Sequence, residues 1–290
     1  MNGILIVDKP AGWTSFDVIA KLRGILATRK IGHSGTLDPM ATGVLPVFVG
    51  PAARAVDLQT DHTKEYAAGV RFGIATDTGD ITGEVLRTAE CAVSREELQA
   101  VLPQFLGDQM QLPPMYSAVK INGQPLYKMA RKGQTVERTP RPITVHALEL
   151  LEQTGENEFL LRIACSKGSY VRVLLEDIGA ALGVPAAMCS LRRTRSGRYT
   201  LQGALSLQEI QAARENGTLQ SLLAGVDTVF DALPAVTVKP RIIDCLKNGC
   251  ACRFDHADGR LRIYDEEGVF YGVACVKENT LQVEKLFIER

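Results

Sequence analysis

The sequence has no hydrophobic run that approaches the roughly 18 apolar residues of a membrane-spanning helix. Its first residues, MNGILIVDKP, also lack the basic start and apolar stretch of a secretory signal. The composition is ordinary, with 46% hydrophobic and 23% charged residues. We therefore expect a cytoplasmic protein that does not associate with membranes. A length of 290 residues allows one large core and a second domain.

Neither sign of charge is in excess, because 33 lysines and arginines balance 33 aspartates and glutamates. The net charge by itself therefore gives no indication of a polyanionic partner. The basic residues are unevenly placed, with six against one acid in residues 117–145 and four arginines without an acid in residues 186–203. These stretches are either solvated charged surfaces or contacts for nucleic-acid phosphates. The candidates for phosphate contacts are Lys120, Lys128, Arg131, Lys132, Arg192 and Arg193.

The seven cysteines form no disulfide framework, because their number is odd and their spacing is irregular. Reduced thiols are the expected state in a chain of this length. Cys245, Cys250 and Cys252 are close in sequence, but their spacing matches no common zinc site and no pair of histidines completes one. We therefore predict no metal site and interpret these three as small buried apolar side chains.

Short apolar segments separated by turns predict strands in the first part of the chain, at residues 4–7, 44–49 and 66–73. Ser15 is the expected cap of a helix between the first two strands. Ser94 and Glu97 have the spacing of a capping box and predict a second helix.

Two adjacent prolines in QLPPMYSA exclude a regular helix there, and residues 112–142 are rich in glycine, proline and basic residues. This segment predicts an excursion from the core. Residues 169–183 predict a strand that passes into a helix ending at Gly183. A second boundary is expected at residues 231–240, and the residues that follow predict strands and turns.

One carboxylate, Asp38, lies between turn-forming residues in the segment KIGHSGTLDPMATGVLPVFV. Pro39 restricts the backbone directly after this acid, and Gly43 precedes an apolar strand. A carboxylate that acts as a nucleophile must be held in one position, whereas an aspartate on an ordinary turn need not be. Spacing alone leaves both interpretations open.

Six segments in one order, over nearly 200 residues, resemble the TruB-type tRNA pseudouridine synthases. Enzymes of this family isomerise the T-loop uridine of tRNA, at position 55 by tRNA convention. The segments are LIVDKPAGWTSFDVI, GHSGTLDPMATGVLP, KEY, QLPPMYSAVKINGQPLYKMARKG, GSYVRVLLEDIG and LRRTRSG. The chain departs from the common pattern in detail, for example at Ser34, where threonine is common in the family.

The resemblance implies that Asp38 is the catalytic carboxylate and that Arg172 is the cation paired with it. An anionic group in a pocket for a flat, neutral base needs such a partner. An alternating strand would place Tyr170 and Arg172 on one face. The chemical route stays open, because the carboxylate could attack C6 of the base or C1′ of the sugar, or help to remove a sugar proton.

The resemblance also implies a pocket for a flipped base. Tyr66 would stack on this base, Leu191 would line the pocket, and His33 would contact the RNA. Lys9 and Pro10 would lie beneath the loop and act structurally.

The fold implied by the resemblance is α+β, with a mixed, largely antiparallel central sheet, flanking helices and a small C-terminal PUA-like β-barrel. The catalytic domain would span residues 1–235, with an RNA-gripping insertion at about 112–142, and the PUA-like RNA-binding domain would span residues 236–290. Isomerisation involves no net oxidation and no input of energy, so no cofactor is expected.

The expected partner is the T-arm of tRNA, bound by a monomer that needs no other protein. One alternative is a tRNA-binding or tRNA-folding protein whose main role is not catalytic. Another is a retaining glycosidase, which needs a second acid about 5 to 5.5 Å away. The resembling segments offer no evident second acid, and a basic insertion suits phosphates better than neutral sugars.

Overall fold

A computed structural model describes residues 1–59 and 61–288 of the chain. The first elements alternate strands and helices: β1 (Gly3–Lys9), α1 (Ser15–Leu26), β2 (Ile31–His33), β3 (Thr42–Val49), a 3-10 helix (Gly50–Leu58) and β4 (Lys64–Phe72). The three strands predicted in this part of the chain are confirmed as parts of β1, β3 and β4.

The middle of the chain contains β5 (Ile74–Thr76), β6 (Val85–Thr88), α2 (Arg95–Val101), a 3-10 helix (Leu102–Phe105), β7 (Gly107–Gln111), β8 (Lys120–Ile121), β9 (Gln124–Pro125), α3 (Leu126–Ala130), β10 (Arg141–Gly155), β11 (Glu158–Cys165), α4 (Val171–Ala181) and β12 (Ala186–Ser196). β8 and β9 pair only with each other, so the segment predicted as an excursion leaves the central sheet and returns to it at β10.

The last elements are β13 (Tyr199–Thr200), α5 (Leu207–Glu215), two 3-10 helices (Leu219–Leu222 and Val226–Phe230), β14 (Ala235–Thr237), α6 (Pro240–Lys247), β15 (Cys252–Arg253), β16 (Gly259–Tyr264), β17 (Phe270–Lys277) and β18 (Thr280–Leu286). None of the helices within the described ranges has the length and apolar character needed to cross a bilayer.

The central sheet has nine strands within the described residues. Its main order is β1-β3-β12-β4-β11-β10-β7, with β2 on β3 and β13 on β12. The β3 and β12 pair is parallel, and the other pairs in this sheet are antiparallel. Helices α1 and α5 pack against β1 and β3, while α2 and α4 pack in the core around β4, β11 and β12. The predicted mixed, largely antiparallel sheet with flanking helices is confirmed.

A second sheet of five strands, in the order β14-β16-β17-β18-β15, follows in the last part of the described chain. Phe270 of this sheet, and Phe287 directly after β18, pack against Phe230, with the Phe230 and Phe287 ring centroids 5.4 Å apart. This sheet agrees with the expected PUA-like fold. β14 begins at Ala235, and the domain boundary between residues 235 and 236 stays a prediction.

Two helix starts differ from the expected ones. Thr14, and not Ser15, caps α1, and its hydroxyl accepts a hydrogen bond from the Asp17 amide. The strand predicted around Tyr170 is wrong, because α4 begins directly after this residue. Buried Val171, Leu174, Leu175 and Ile178 have helical spacing, and their burial outweighs the strand preference of the β-branched residues. The capping box at Ser94 and Glu97 is confirmed.

The interpretation of the clustered cysteines as buried apolar side chains is wrong. Cys250 is exposed, and Cys245 and Cys252 are partly exposed. They lie between the end of α6 and the start of β15, at the surface of the small C-terminal sheet, and of the three only Cys252 packs against the apolar cluster of that sheet among the described residues. No group of three or more potential ligand residues within the described chain could hold a metal ion.

Candidate active site

The loop that carries Asp38 connects β2 to β3 and is fixed on both sides of the acid. On one side, the Ser15 hydroxyl accepts a hydrogen bond from the Leu37 amide at 2.9 Å. On the other side, the Lys9 ammonium donates to the Pro39 carbonyl at 3.2 Å and to the carbonyls of Pro10 and Trp13. Lys9 is completely buried, which agrees with the structural role expected for it. The backbone around Asp38 is therefore held in one conformation.

Arg172 lies beside Asp38, although it reaches this position from a helix and not from a strand. Its side chain points from the first turn of α4, and Nη2 lies 3.0 Å from Oδ2 of Asp38. The guanidinium also donates to the carbonyls of Thr78 at 2.6 Å and Tyr116 at 2.9 Å. Only 5% of the Arg172 side chain is exposed, against 38% of Asp38. A buried cation thus fixes a carboxylate that stays accessible.

Asp80 is a site residue that the sequence analysis missed. Its Oδ2 lies 3.9 Å from Nε of Arg172, and it is buried. The hydroxyl and amide of Thr82 donate to its Oδ1, which holds the carboxylate in place. Arg172 therefore lies between two acids. The sequence feature that could have identified Asp80 is its place in the turn-rich segment DTGDITGE. None of the six segments that resemble the family includes this stretch.

A cavity of about 280 Å³ opens at this ion pair. Of the predicted site residues, it is lined by Asp38, Tyr66, Tyr170, Arg172 and Leu191, together with Arg193. Tyr66 and Leu191 come from the neighbouring strands β4 and β12, and each is 8% exposed. The structure therefore brings most of the predicted site together around one pocket.

His33 is placed differently. It ends β2, is partly buried, and is not among the described residues that line the cavity. Burial lowers the pKa of its imidazole, and the nearby Arg193 guanidinium lowers it further. The ring is therefore neutral at pH 7, and its Nδ1 is buried without a hydrogen-bond partner.

Lys64 is a second residue that was missed. It is buried at the cavity wall, and its Nζ donates to the Ser196 hydroxyl at 2.7 Å. Burial, followed by the Arg193 charge, lowers its pKa from 10.5 to about 8. Strand alternation could have identified Lys64 from the sequence. Residues two apart on β4 share a face of the sheet, and Tyr66, two residues after Lys64, was already assigned to the pocket.

The assignment of Arg193 to an RNA-contacting surface is wrong, since only 1% of this residue is exposed. The run of arginines on β12 alternates between the two faces of the sheet, and Arg193 points inward with Leu191. Arg192 is partly exposed, but Nη2 lies 2.7 Å from the Asp8 carboxylate. Arg198 pairs with Asp231. Most of the charge in this stretch is thus balanced within the fold.

The basic residues of the insertion are placed as expected for a surface. Lys120, Lys128, Arg131 and Lys132 are exposed, and none of them forms an ion pair with another described residue. The Arg131 guanidinium lies over the Tyr127 ring at 5.7 Å. Free positive charge is therefore concentrated on this segment.

Comparison with known proteins agrees with this architecture. The family model described as "TruB family pseudouridylate synthase (N terminal domain)" matches residues 23–171, and "tRNA pseudouridylate synthase B C-terminal domain" matches residues 172–231. The chain is 41% identical to tRNA pseudouridine synthase B of Stutzerimonas stutzeri, over 96% of this chain and 93% of the relative. It is also 41% identical to the Bacillus cereus protein of that name, over 91% and 92%.

Solved structures give the same result. A Cbf5-Nop10-Gar1 complex contains a chain with a TM-score of 0.73 and 28% identity, and the match covers 99% of this chain and 85% of that one. An H/ACA RNP bound to a substrate RNA containing 2′-deoxyuridine gives a TM-score of 0.72 and 25% identity, with coverage of 99% and 86%. By sequence and by fold, the chain belongs to the TruB family of pseudouridylate synthases.

Proposed function

We propose that this protein converts a uridine of tRNA to pseudouridine and that its target is the T-loop uridine at position 55. The names of its relatives, at 41% identity over 96% of the chain, support tRNA as the substrate. The T-loop position rests on the resemblance of the six sequence segments to the family.

The observation that carries the proposal is the ion pair between Asp38 and Arg172 at the mouth of a pocket walled by Tyr66 and Leu191. In the isomerisation, the bond between N1 of uracil and C1′ of ribose breaks, the base rotates, and a bond from C5 to C1′ forms. The proton of C5 leaves to solvent, and N1, freed from C1′, takes up a proton in its place. Asp38 acts as the nucleophile or base in this sequence, and Arg172 balances its negative charge.

The pocket suits a base that has left its stack. The Tyr66 ring offers an aromatic face to the flipped uracil, and Leu191 and Tyr170 complete the wall. Stacking in the pocket offsets part of the energy that the base loses on leaving the loop. His33, neutral and next to the active-site loop, contacts the RNA from outside the cavity.

The insertion binds the RNA backbone. Its exposed cations are the phosphate contacts in this proposal, and none of them forms an ion pair within the described parts of the chain: Lys120, Lys128, Arg131 and Lys132. We also infer that the protein acts in the cytoplasm as a monomer without an obligate protein partner. Native mass spectrometry of the protein bound to tRNA would give one chain per RNA if this is correct.

The experiment is tritium release from a tRNA transcript labelled at C5 of its uridines. We expect the protein to release one tritium per tRNA, and replacement of the T-loop uridine by cytidine to abolish this release. Replacement of another loop uridine is the matched control and leaves release unchanged. Release that survives loss of the T-loop uridine would show a different target, and no release from any tRNA would refute the proposal.

A further inference from the structure

Lys167 lies at the cavity that contains Asp38, and neither the proposed reaction nor the proposed RNA contacts of the insertion use it. It belongs to the loop of residues 166–170, which connects β11 to α4, and all five residues of this loop line the cavity. Lys167 is exposed, whereas Tyr170 at the end of the loop is partly buried. Lys167 is therefore a cation at the rim of the pocket and not in its interior.

The other cations of the cavity are already engaged within the fold. Nη2 of Arg172 lies 3.0 Å from the Asp38 carboxylate, and both Lys64 and Arg193 donate hydrogen bonds to neighbouring protein oxygens. Lys167, in contrast, forms neither an ion pair nor a side-chain hydrogen bond with another described residue. Its charge is therefore available to a ligand.

The charges that line the cavity do not balance. Among the described residues, four cations line it and Asp38 is the one acid, which leaves a surplus of three positive charges. A uracil base is neutral and does not need this surplus. The phosphates on either side of its nucleotide are anions, and they are the part of the RNA that an uncompensated cation attracts.

The surroundings of Lys167 on its other side are also positive. Burial lowers the pKa of the His62 imidazole, and the charge of Lys167 is the largest electrostatic effect that lowers it further. The carboxylates of Asp61 and Asp57 oppose this effect but are weaker. Neighbouring acids thus do not neutralise the positive potential at this rim.

The backbone on both sides of Lys167 is anchored. The Ser166 amide donates to the Thr144 carbonyl at 2.9 Å, and the Ser166 hydroxyl accepts from the Thr144 amide at 2.9 Å. After Lys167, the Tyr170 amide donates to the Gln111 side chain at 2.8 Å, and the Gln111 amide group donates back to the Tyr170 carbonyl at 3.1 Å. The loop therefore holds Lys167 at the rim, and only its flexible side chain needs to move to meet a ligand.

We propose that Lys167 binds one of the two phosphates that flank the flipped uridine. With the base in the pocket and the ribose beside Asp38, these phosphates remain at the rim, where the ammonium group lies. The contact forms only when the nucleotide has entered the cavity, so it stabilises the flipped state over the stacked one. This inference rests on the proposed function, because it requires a nucleotide in the cavity.

Long-range attraction of RNA by an exposed lysine is the competing explanation. The two explanations differ in their dependence on a single phosphate. If Lys167 contacts a flanking phosphate, its removal costs little once that phosphate carries no charge. If it attracts the RNA only at long range, its removal costs the same whichever phosphate is neutral.

The test is a cycle between a lysine variant and a modified tRNA under single-turnover conditions. Ligated tRNAs carry one neutral methylphosphonate, either 5′ or 3′ to the target uridine, or in a distant stem as the matched control. The proteins are native, Lys167→Ala and the conservative variant Lys167→Arg. Arg71→Ala is the protein control, because Arg71 is exposed near the end of β4 that lies away from the cavity. The rate, the Kd for tRNA and the unfolding midpoint in urea are measured for each protein.

We expect Lys167→Ala to lower the single-turnover rate divided by Kd about tenfold on unmodified tRNA, the loss associated with one charge-assisted contact. The methylphosphonate at the contacted position should lower it similarly for the native protein. The two changes together should be no more than about twofold worse than the larger single change. Lys167→Arg should recover most of the loss, Arg71→Ala should match the native protein, and the urea midpoints should be unchanged.

Losses that multiply at both flanking positions would overturn the inference, as would native behaviour of Lys167→Ala. Equal coupling at the distant stem phosphate would show long-range attraction and would overturn it as well. If Lys167→Ala does not fold, Lys167→Gln, which keeps a polar chain without the charge, takes its place in the same cycle. Failure of the native protein to act on unmodified tRNA would refute the proposed function instead, so the two outcomes are distinguishable.

Discussion

At the scale of single residues, the site depends on how one guanidinium is shared. Arg172 contacts the Asp38 carboxylate at 3.0 Å, the Asp80 carboxylate at 3.9 Å and two backbone carbonyls. These contacts approach from different directions, which the planar fork of arginine can satisfy at once. Asp80 and the carbonyls fix the guanidinium, and the guanidinium in turn fixes Asp38.

Replacement of Arg172 by lysine tests this arrangement. An ammonium group cannot reach Asp38, Thr78 and Tyr116 together, so we expect the single-turnover rate to fall about 100-fold or more. The affinity for tRNA should change little, because Arg172 is buried. Arg71→Lys is the matched control, since Arg71 is exposed and 3.6 Å from Glu158. An Arg172→Lys variant with the native rate would show that a positive charge beside Asp38 is sufficient for the reaction, without the shared contacts of the guanidinium.

Lys64 predicts a pH dependence of stability. Its pKa is about 8 in the folded protein and near the ordinary value of 10.5 when unfolded. Between these values the unfolded chain binds the proton that the folded chain lacks, so raising the pH favours folding.

The native protein should therefore gain stability relative to Lys64→Met between pH 8 and pH 10. The expected gain is up to about 1.4 kcal/mol per pH unit. Urea unfolding of both proteins at several pH values measures it. A difference that stays constant with pH would show that the lysine titrates normally in the fold.

At the scale of elements, hydrophobic spacing predicted the strands and helices well, and the site less completely. The loop around Asp38 was recognisable because its residues stand together in sequence. Arg172 was assigned to a strand, because Val171 and Val173 favour one and only the packing of α4 shows that a helix forms. Arg193 was assigned to the surface, because its burial depends on the pairing of β12 with β3 and β4, which no local pattern reveals.

The close approach of β3 and β12 gives a test at this scale. Gly43 has φ +100°, and a Cβ there would lie 2.2 Å from the Arg193 carbonyl oxygen. Gly12 also has a positive φ, of +80°, but no atom lies within 4 Å of the Cβ position. Both alanine variants carry backbone strain, and only Gly43→Ala adds a collision with backbone.

We expect Gly43→Ala to lower the free energy of unfolding by at least about 2 kcal/mol more than Gly12→Ala does. Urea unfolding of the two variants and the native protein gives the comparison. Equal losses in the two variants would mean that the strands are not as close as the structure shows.

At the scale of the whole molecule, a net charge of zero conceals an uneven distribution. Several arginines around the core are paired with acids, as Arg192 is with Asp8, while the insertion carries exposed cations that form no ion pair with another described residue. Composition could not show this difference, because pairing depends on contacts between distant parts of the chain. Binding to a polyanion is therefore expected at the insertion.

The salt dependence of tRNA binding tests this expectation. Lys128→Ala and Lys132→Ala should each weaken binding and reduce the slope of log Kd against log salt by about 0.7 to 0.9. Arg71→Ala, which removes an exposed cation that lies 3.6 Å from Glu158 on the catalytic domain, should leave the slope unchanged. Equal effects of all three variants would place the RNA elsewhere.

The central claim is that the Asp38 carboxylate, held beside Arg172, performs the chemistry. The most direct measurement is single-turnover tritium release by Asp38→Asn, which keeps the size of the side chain and removes its charge. We predict that this variant binds tRNA with native affinity and releases no tritium. Asp61→Asn, which changes an exposed aspartate near Arg195, should behave as the native protein does. Release by Asp38→Asn within tenfold of the native rate would contradict the account.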